Sequence, residues 1–328
     1  MTTLYDVAAI GNAIVDVIAP ASDAFLADND LVKGSMCLID DAQAEALYGR
    51  MAAAVEASGG SACNTIAGVS SFGGRGAFIG KIGVDALGEV FTHDIESLGA
   101  RFGGTPLADA ATGRCLINVS PDGERTMTTF LGAAALLDPS DVDPAIIEAA
   151  AVVYLEGYLF DPEPARRAFA KAAGLARASG RMIALTLSDS FVVERHRGAL
   201  LGFIESEVDI LFANEAEITA LYQTPDFDAA AEAVRGKAKI AAITRGKQGS
   251  TIIAGDETCH VSAVPIEKVV DTTGAGDQYA AGFLHGLARG LSYGHCGRLG
   301  SLAAAEVIAH YGPRPQVSLR DLAAQAGL

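Results

Sequence analysis

Residues 151–187 read AVVYLEGYLFDPEPARRAFAKAAGLARASGRMIALTL. An apolar run (151–157) is followed by an alanine-rich segment with helical spacing (164–180) and then by a second apolar run (182–187). Strand, helix and strand in that order make a crossover unit, which sets neighbouring strands parallel. The alternation extends in both directions. VAAIG (7–11), AFIGKIG (77–83), VDILFAN (208–214) and IAAITRG (240–246) are further short apolar runs. SACNTIAGVSSFG (61–73), DALGEVFTHDIESLG (85–99) and ITALY (218–222) carry the helical spacing. The pattern predicts one α/β domain over 1–328, built on a mostly parallel sheet with helices on both faces.

Two stretches break the alternation. LVKGSMCLID (31–40) and RFGGTPLADAATGRCLINVSPDGERTMTTFL (101–131) read as short strands joined by turns, with SPDGER as a hairpin connection. They fit either a small separate sheet or an antiparallel edge of the main one. The separate sheet, with residues of about 12–19 added, is expected to form a β-lid over the cleft.

Bulk composition narrows the partners. The chain has 328 residues, half of them hydrophobic, enough for a large core. With 24 Lys and Arg against 40 Asp and Glu, the net charge is 24 − 40 = −16, and no basic run offsets it. A nucleic-acid partner is excluded on that ground, because phosphate backbones are held by clustered cations. Cys37, Cys63, Cys115, Cys259 and Cys296 are widely and irregularly spaced, so no disulfide framework or zinc site is expected. The apolar N-terminus lacks a basic leader and contains Asn12 and Asp16, so it reads as strands, with no membrane partner and a cytoplasmic location.

The chemistry is expected at DTTGAGDQYAAGF (271–283). VPIEKVVD (264–271) before it is strand-like, and QYAAGFLHGLARG (278–290) has helical spacing. In an open α/β sheet, ligands bind where such loops run into helix N-termini beyond the strands' carboxyl ends. Gly274, Ala275 and Gly276 allow successive backbone amides to face one anion, and Asp277 beside them can take a proton from an attacking hydroxyl. The same residues also fit a plain turn in which Asp277 caps the helix. Rival nucleotide motifs fail. Arg75 stands where a Walker loop needs its first glycine, and Tyr279 where a dinucleotide fingerprint needs its last.

IGNAIVD (10–16), SGGSACNTIAGVSSFGGRGAFIGKIGVDALGE (58–89), ANEAE (213–217), TRGKQGS (244–250), DTTGAGDQYAAGF and AAAEVIAHYG (303–312) together resemble the ribokinase-like, PfkB-type carbohydrate kinases, most closely the adenosine kinase branch. The likeness runs through nearly the whole chain. It implies phosphorylation of a hydroxymethyl group by MgATP, with Asp277 as base and Gly274, Ala275 and Gly276 as anion hole. Asn12, Asp16, Gly59, Gly60 and Asn64 match positions that hold ribose hydroxyls. Arg125 matches an arginine brought over the transferring phosphate. Asn214, Thr244, Gly246 and Gly249 match the ATP site, and Glu217 matches a residue that reaches Mg²⁺ through water. The resemblance leaves open a monovalent cation such as K⁺ and either a monomer or a homodimer.

The adenosine branch is suggested by GNAIVD, residues 112–137, LTLSDSF (185–191) and the C-terminal AAAEVIAHYGPRP. Leu131 and Phe191 then line the adenine pocket, with Met36 or Cys37 from the lid. Gln278 departs from the family pattern, which has a small residue after the base. A sugar or another nucleoside remains the alternative acceptor. A nucleoside-binding protein without phosphotransfer is the reading from another class, and the intact GAGD speaks against it.

Overall fold

The computed structural model describes residues 3–328. In chain order the strands are β1 (Tyr5–Ile10), β2 (Ile14–Pro20), β3 (Met36–Leu38), β4 (Val55–Gly59) and β5 (Gly76–Ile79). There follow β6 (Arg101–Phe102), β7 (Gly113–Val119), β8 (Arg125–Phe130), β9 (Ala150–Glu156) and β10 (Met182–Thr186). The last four are β11 (Ile210–Asn214), β12 (Ile240–Thr244), β13 (Ser250–Ala254) and β14 (Glu257–Val261).

Nine strands form one sheet in the order β14-β13-β12-β11-β10-β9-β1-β5-β6. It is parallel from β6 to β12, and β13 and β14 add an antiparallel edge. Each central strand feeds two cores. Ala8, Ile10, Val153, Leu155, Ala241 and Ile243 enter one, while Val7, Ala9, Val152, Tyr154, Ile240 and Ala242 enter the other. Strand residues alternate in direction, so an unbroken apolar run is what a sheet covered on both faces requires. Helix Glu163–Ala178 buries Ala165, Ala168, Phe169, Ala172, Ala173 and Ala176, three or four residues apart, against the first of these cores. Chain order reverses at β1, with β5 on one side and β9 on the other. Such a reversal opens a crevice at the carboxyl ends of the strands.

A second sheet has five strands in the order β3-β8-β7-β2-β4. Three local expectations are corrected. The stretch 264–271 carries no strand: Pro265 offers no amide for a ladder, and the chain leaves the sheet at Val261. Residues 31–40 supply only the three-residue β3, because Gly34 turns the chain at φ 75° just before it. Arg101–Phe102 pairs with β5 in the large sheet, not with the small one. Among the described residues, no helix is long and apolar enough to cross a membrane.

Candidate active site

Four strand ends deliver polar side chains to the crevice: Asn12 just after β1, Glu156 on β9, Asn214 on β11 and Thr244 on β12. Glu156 is 1% exposed and organises the region between two of them. Its Oε1 accepts from the Asn12 amide (3.3 Å) and from Asn12 Nδ2 (2.7 Å), and its Oε2 accepts from the Ala62 amide (2.9 Å). Helix Ser61–Ser71 begins after Gly60, which has no side chain to cap it, so Glu156 supplies the missing acceptor from another strand. Burial pushes the Glu156 carboxyl up to about 7, against donors that favour its ionised form.

Gly59 and Gly60 are dictated by close approach. A Cβ on Gly59 would stand 2.5 Å from Asp16 Cγ. At Gly60, with φ +97°, it would stand 2.1 Å from the Asn12 carbonyl oxygen. Asp16 comes from β2 of the small sheet, in one cross-strand row with Cys115 and, beyond it, Thr129. Burial pushes its carboxyl up to about 6, partly offset by the nearby Arg314 and Arg125 charges.

Asp277 does not cap its helix. The helix Ala275–Ala288 is capped by Gly274 at φ 78°, with no side-chain bond. The Asp277 carboxylate turns instead to helix Ser61–Ser71, accepting from Ser61 Oγ at 2.6 Å and Asn64 Nδ2 at 3.2 Å. Burial pushes it up to about 6, against these two donors. The helix ladder starts with Gln278 N to Gly274 O (2.8 Å), so the Gly276 and Asp277 amides precede it and have no intrahelical acceptor. Gly276 is exposed, and nothing lies within 4 Å of where its Cβ would be. The DTTGAGD turn is held by Asp271, which accepts from Thr273 N (3.0 Å), Thr273 Oγ1 (2.7 Å) and Gly312 N (3.0 Å).

Arg125, at the start of β8, reaches this turn. Its Nε lies 3.1 Å from Asp271 Oδ2, its guanidinium lies 5.7 Å from the Tyr311 ring centre, and its buried Nη1 has no partner among the described residues. Free amides and a helix N-terminus stand at Asp277, and the incompletely paired Arg125 reaches the same turn through Asp271, an arrangement suited to an anion.

Asn214 and Glu217 form a capping box on helix Glu215–Tyr222, with Asn214 Nδ2 donating to Glu217 Oε1 (2.7 Å) and Glu217 N to Asn214 Oδ1 (2.9 Å). Burial pushes Glu217 up to about 7, helped by the charges of Asp189 and Asp277. No three His, Cys, Asp or Glu side chains among the described residues gather into a metal cage. Glu217, already engaged by Asn214, fits a metal reached through water, which is how Mg²⁺ is commonly held. Thr244 ends β12, and Gly246 follows at φ 52° with open space at its Cβ. Gly249 is required by packing, since its Cβ would meet the Val261 carbonyl at 2.0 Å.

Leu131 lines a groove of about 490 Å³ together with Leu38, Thr129 and Leu136. Thr129 stands in the same cross-strand row as Asp16, with Cys115 between them. Met36 and Leu38 on β3 are exposed, as is Phe191, in the first turn of helix Ser190–Glu207. Three residues escaped the sequence reading: Glu156, Ser61 and Arg314. An acid closing an apolar strand is a usable signal for Glu156. Nothing local marks the other two.

The chain matches the pfkB family of carbohydrate kinases over residues 6–319. It is 52% identical to adenosine kinase from Sinorhizobium meliloti, whose crystal structure superposes with a TM-score of 0.90, covering 98% of this chain and 99% of that one. A protein described as a probable sugar kinase from Rhizobium etli CFN 42 is 48% identical, with a TM-score of 0.92 and 99% of each chain covered. Adenosine kinase of Saccharomyces cerevisiae is 26% identical over 326 residues, 93% of this chain and 95% of the yeast protein.

Proposed function

Because the chain belongs to the pfkB family of carbohydrate kinases, we propose that this kinase transfers the γ-phosphate of MgATP to the 5′-hydroxymethyl group of adenosine, giving AMP and ADP. The observation that carries the chemistry is the Asp277 carboxylate, aimed by Ser61 and Asn64 beside amides that lack helical partners. In this reading Asp277 takes the proton from the acceptor hydroxyl. The amides of the Gly274, Ala275 and Gly276 turn, of which Ala275 N rests on the Thr272 carbonyl (3.2 Å) and Gly276 N is free, hold with Arg125 the charge that gathers on the transferring phosphoryl group. Mg²⁺, reached from Glu217 and Asn214 through water, neutralises the ATP phosphates. Thr244, Gly246 and Gly249 line the nucleotide.

Asp16 and the free Oδ1 of Asn12 receive the ribose diol, with Gly59, Gly60 and Asn64 shaping the turn below it. A carboxylate suits a vicinal diol because it accepts two hydrogen bonds. The base extends toward Leu131 and the adjoining groove, with Phe191, Met36 and Cys37 around it. Support for adenosine comes from the 52% identity to the Sinorhizobium enzyme over almost the whole chain. A sugar acceptor is the second reading, favoured by the 48% identity to the Rhizobium protein. It leaves the groove at Leu131 unfilled. The small sheet serves as a lid on a single domain, and the Arg125–Asp271 pair latches it to the anion loop. The proposed setting is the cytoplasm, in keeping with five cysteines that are all free thiols.

The test is a panel of adenosine, inosine, guanosine, cytidine, ribose and fructose 6-phosphate, assayed with MgATP for ADP release, with and without K⁺. Adenosine is expected to give the highest kcat/KM. A higher value with ribose or fructose 6-phosphate replaces this reading with the sugar one.

A further inference from the structure

We propose that Arg314 is a positioning residue for phosphoryl transfer, acting through Asn64 to hold an amide N–H on the Asp277 carboxylate; the proposal rests on the kinase reading above. Arg314 lies in the loop between helices Tyr293–Val307 and Leu319–Gln325, yet its side chain is only 18% exposed. Its Nη1 donates to Asp94 Oδ2 (2.7 Å), its Nη2 to Ser58 Oγ (2.6 Å) and its Nε to Asn64 Oδ1 (3.4 Å). Asp94 is itself fixed by the Ser58 amide (2.9 Å) and hydroxyl. The guanidinium fork therefore joins helix Ala86–Ser97, β4 and helix Ser61–Ser71 at one point.

The sense of the Asn64 amide follows from chemistry. An arginine only donates, so Asn64 must turn its oxygen to Arg314. An ionised carboxylate only accepts, so Asn64 must turn its nitrogen to Asp277, which it does at 3.2 Å. Both neighbours impose one orientation. With Arg314 gone, the oxygen loses its donor and the amide is free to rotate away from the base.

Gln278 anchors the arrangement. Completely buried next to the base, its Nε2 donates to the carbonyls of Asn64 (2.9 Å) and Pro313 (3.0 Å), tying the Arg314 loop to the helix that carries Asn64. Gly68 makes room, since a Cβ there would lie 2.2 Å from Gln278 Oε1. The residue that departs from the family pattern thus has a place in the same network.

The test compares wild type, Arg314→Lys, Arg314→Met, Asn64→Ala and the double variant Arg314→Lys/Asn64→Ala. Lysine keeps a cation for Asp94 but, as a point charge, cannot span Ser58, Asp94 and Asn64 at once. It thus serves where the methionine variant fails to fold. Carboxyl-carbon NMR titration of Asp277 is read alongside the pH profile of kcat. In Arg314→Lys the Asp277 midpoint is expected to rise by about half a pH unit or more. In the same variant kcat should fall about tenfold, with the MgATP KM unchanged. In the Asn64→Ala background the same substitution should add less than about twofold, since coupled residues are not additive. An unchanged midpoint, or an equal shift without Asn64, overturns the proposal. The titration needs no turnover. A chain that phosphorylates no acceptor sinks the kinase reading and leaves the NMR midpoint to decide this one.

Discussion

Asp277→Asn removes the ability to accept a proton while keeping the side-chain shape. It should lower kcat by about 10²–10⁴, the usual range for a positioned general base, and leave MgATP binding intact, as isothermal titration with a non-hydrolysable analogue would register. Near wild-type turnover would end the assignment. Asp16→Ala removes a carboxylate that Gly59 closely abuts and that faces Arg314 and Arg125. The acceptor KM should rise by the roughly 1.5–3 kcal/mol of a hydrogen bond to a charged group, while the ATP KM stays level. A rise confined to the ATP KM would put the ribose site elsewhere. At this scale the sequence was readable where a residue's own neighbours define its geometry, as in the glycine turn before Asp277, where Gly274 sits at φ 78° at the head of the helix. It was silent where the partner lies far along the chain. Glu156 and Asn12 are 144 residues apart, and Arg314 and Asn64 are 250 apart, so no window of sequence contains either pair.

Among elements, the strands were the most legible part, because burial on both faces writes an unbroken apolar run that alternation between two cores then confirms. The clearest failure has a simple cause. VPIEKVVD has strand composition, but its place after an edge strand gives it no partner to pair with, and Val269 ends up 53% exposed. Propensity without a partner makes no ladder. The anion loop offers a sharper test, because its two glycines serve different ends. Gly274 sits at φ +78°, and its Cβ would lie 2.6 Å from Pro313. Gly274→Ala should therefore destabilise the fold by about 1–3 kcal/mol, visible as a lowered Tm. Gly276 meets nothing within 4 Å. Gly276→Ala should keep its Tm but raise the MgATP KM about tenfold, since its methyl would crowd the anion. If the two variants proved alike in both Tm and KM, the division between packing and phosphate roles would be wrong.

On the scale of the whole molecule, the reversal of strand order at β1 gathers acids at one end of the sheet in a chain that already carries a net charge of −16. Burial pushes Asp16 and Asp277 up to about 6, and Glu156 and Glu217 up to about 7. In the unfolded chain the same groups titrate near 3.9 to 4.3. Between about pH 4 and 7 the folded protein therefore holds more protons than the unfolded one. The sign follows from linkage: the contribution of these groups to stability is full below about pH 4 and is lost as pH rises through 6 and 7. Activity runs the other way, because a proton acceptor works only when ionised, so kcat/KM should climb through about pH 6. The ligand-free protein should thus become more active and, through these acids, less stable over one pH window. Asp277→Asn separates the two trends. Calorimetry should find its Tm equal to wild type near pH 3.5 and higher by about 1–2 °C near pH 8, a shift already reduced for the solvent that reaches the cleft. A difference that stayed constant with pH, or that favoured wild type at pH 8, would mean that the ionised carboxylate is stabilised by its two donors more than burial opposes it, and the expected midpoint of activity would then move well below 6.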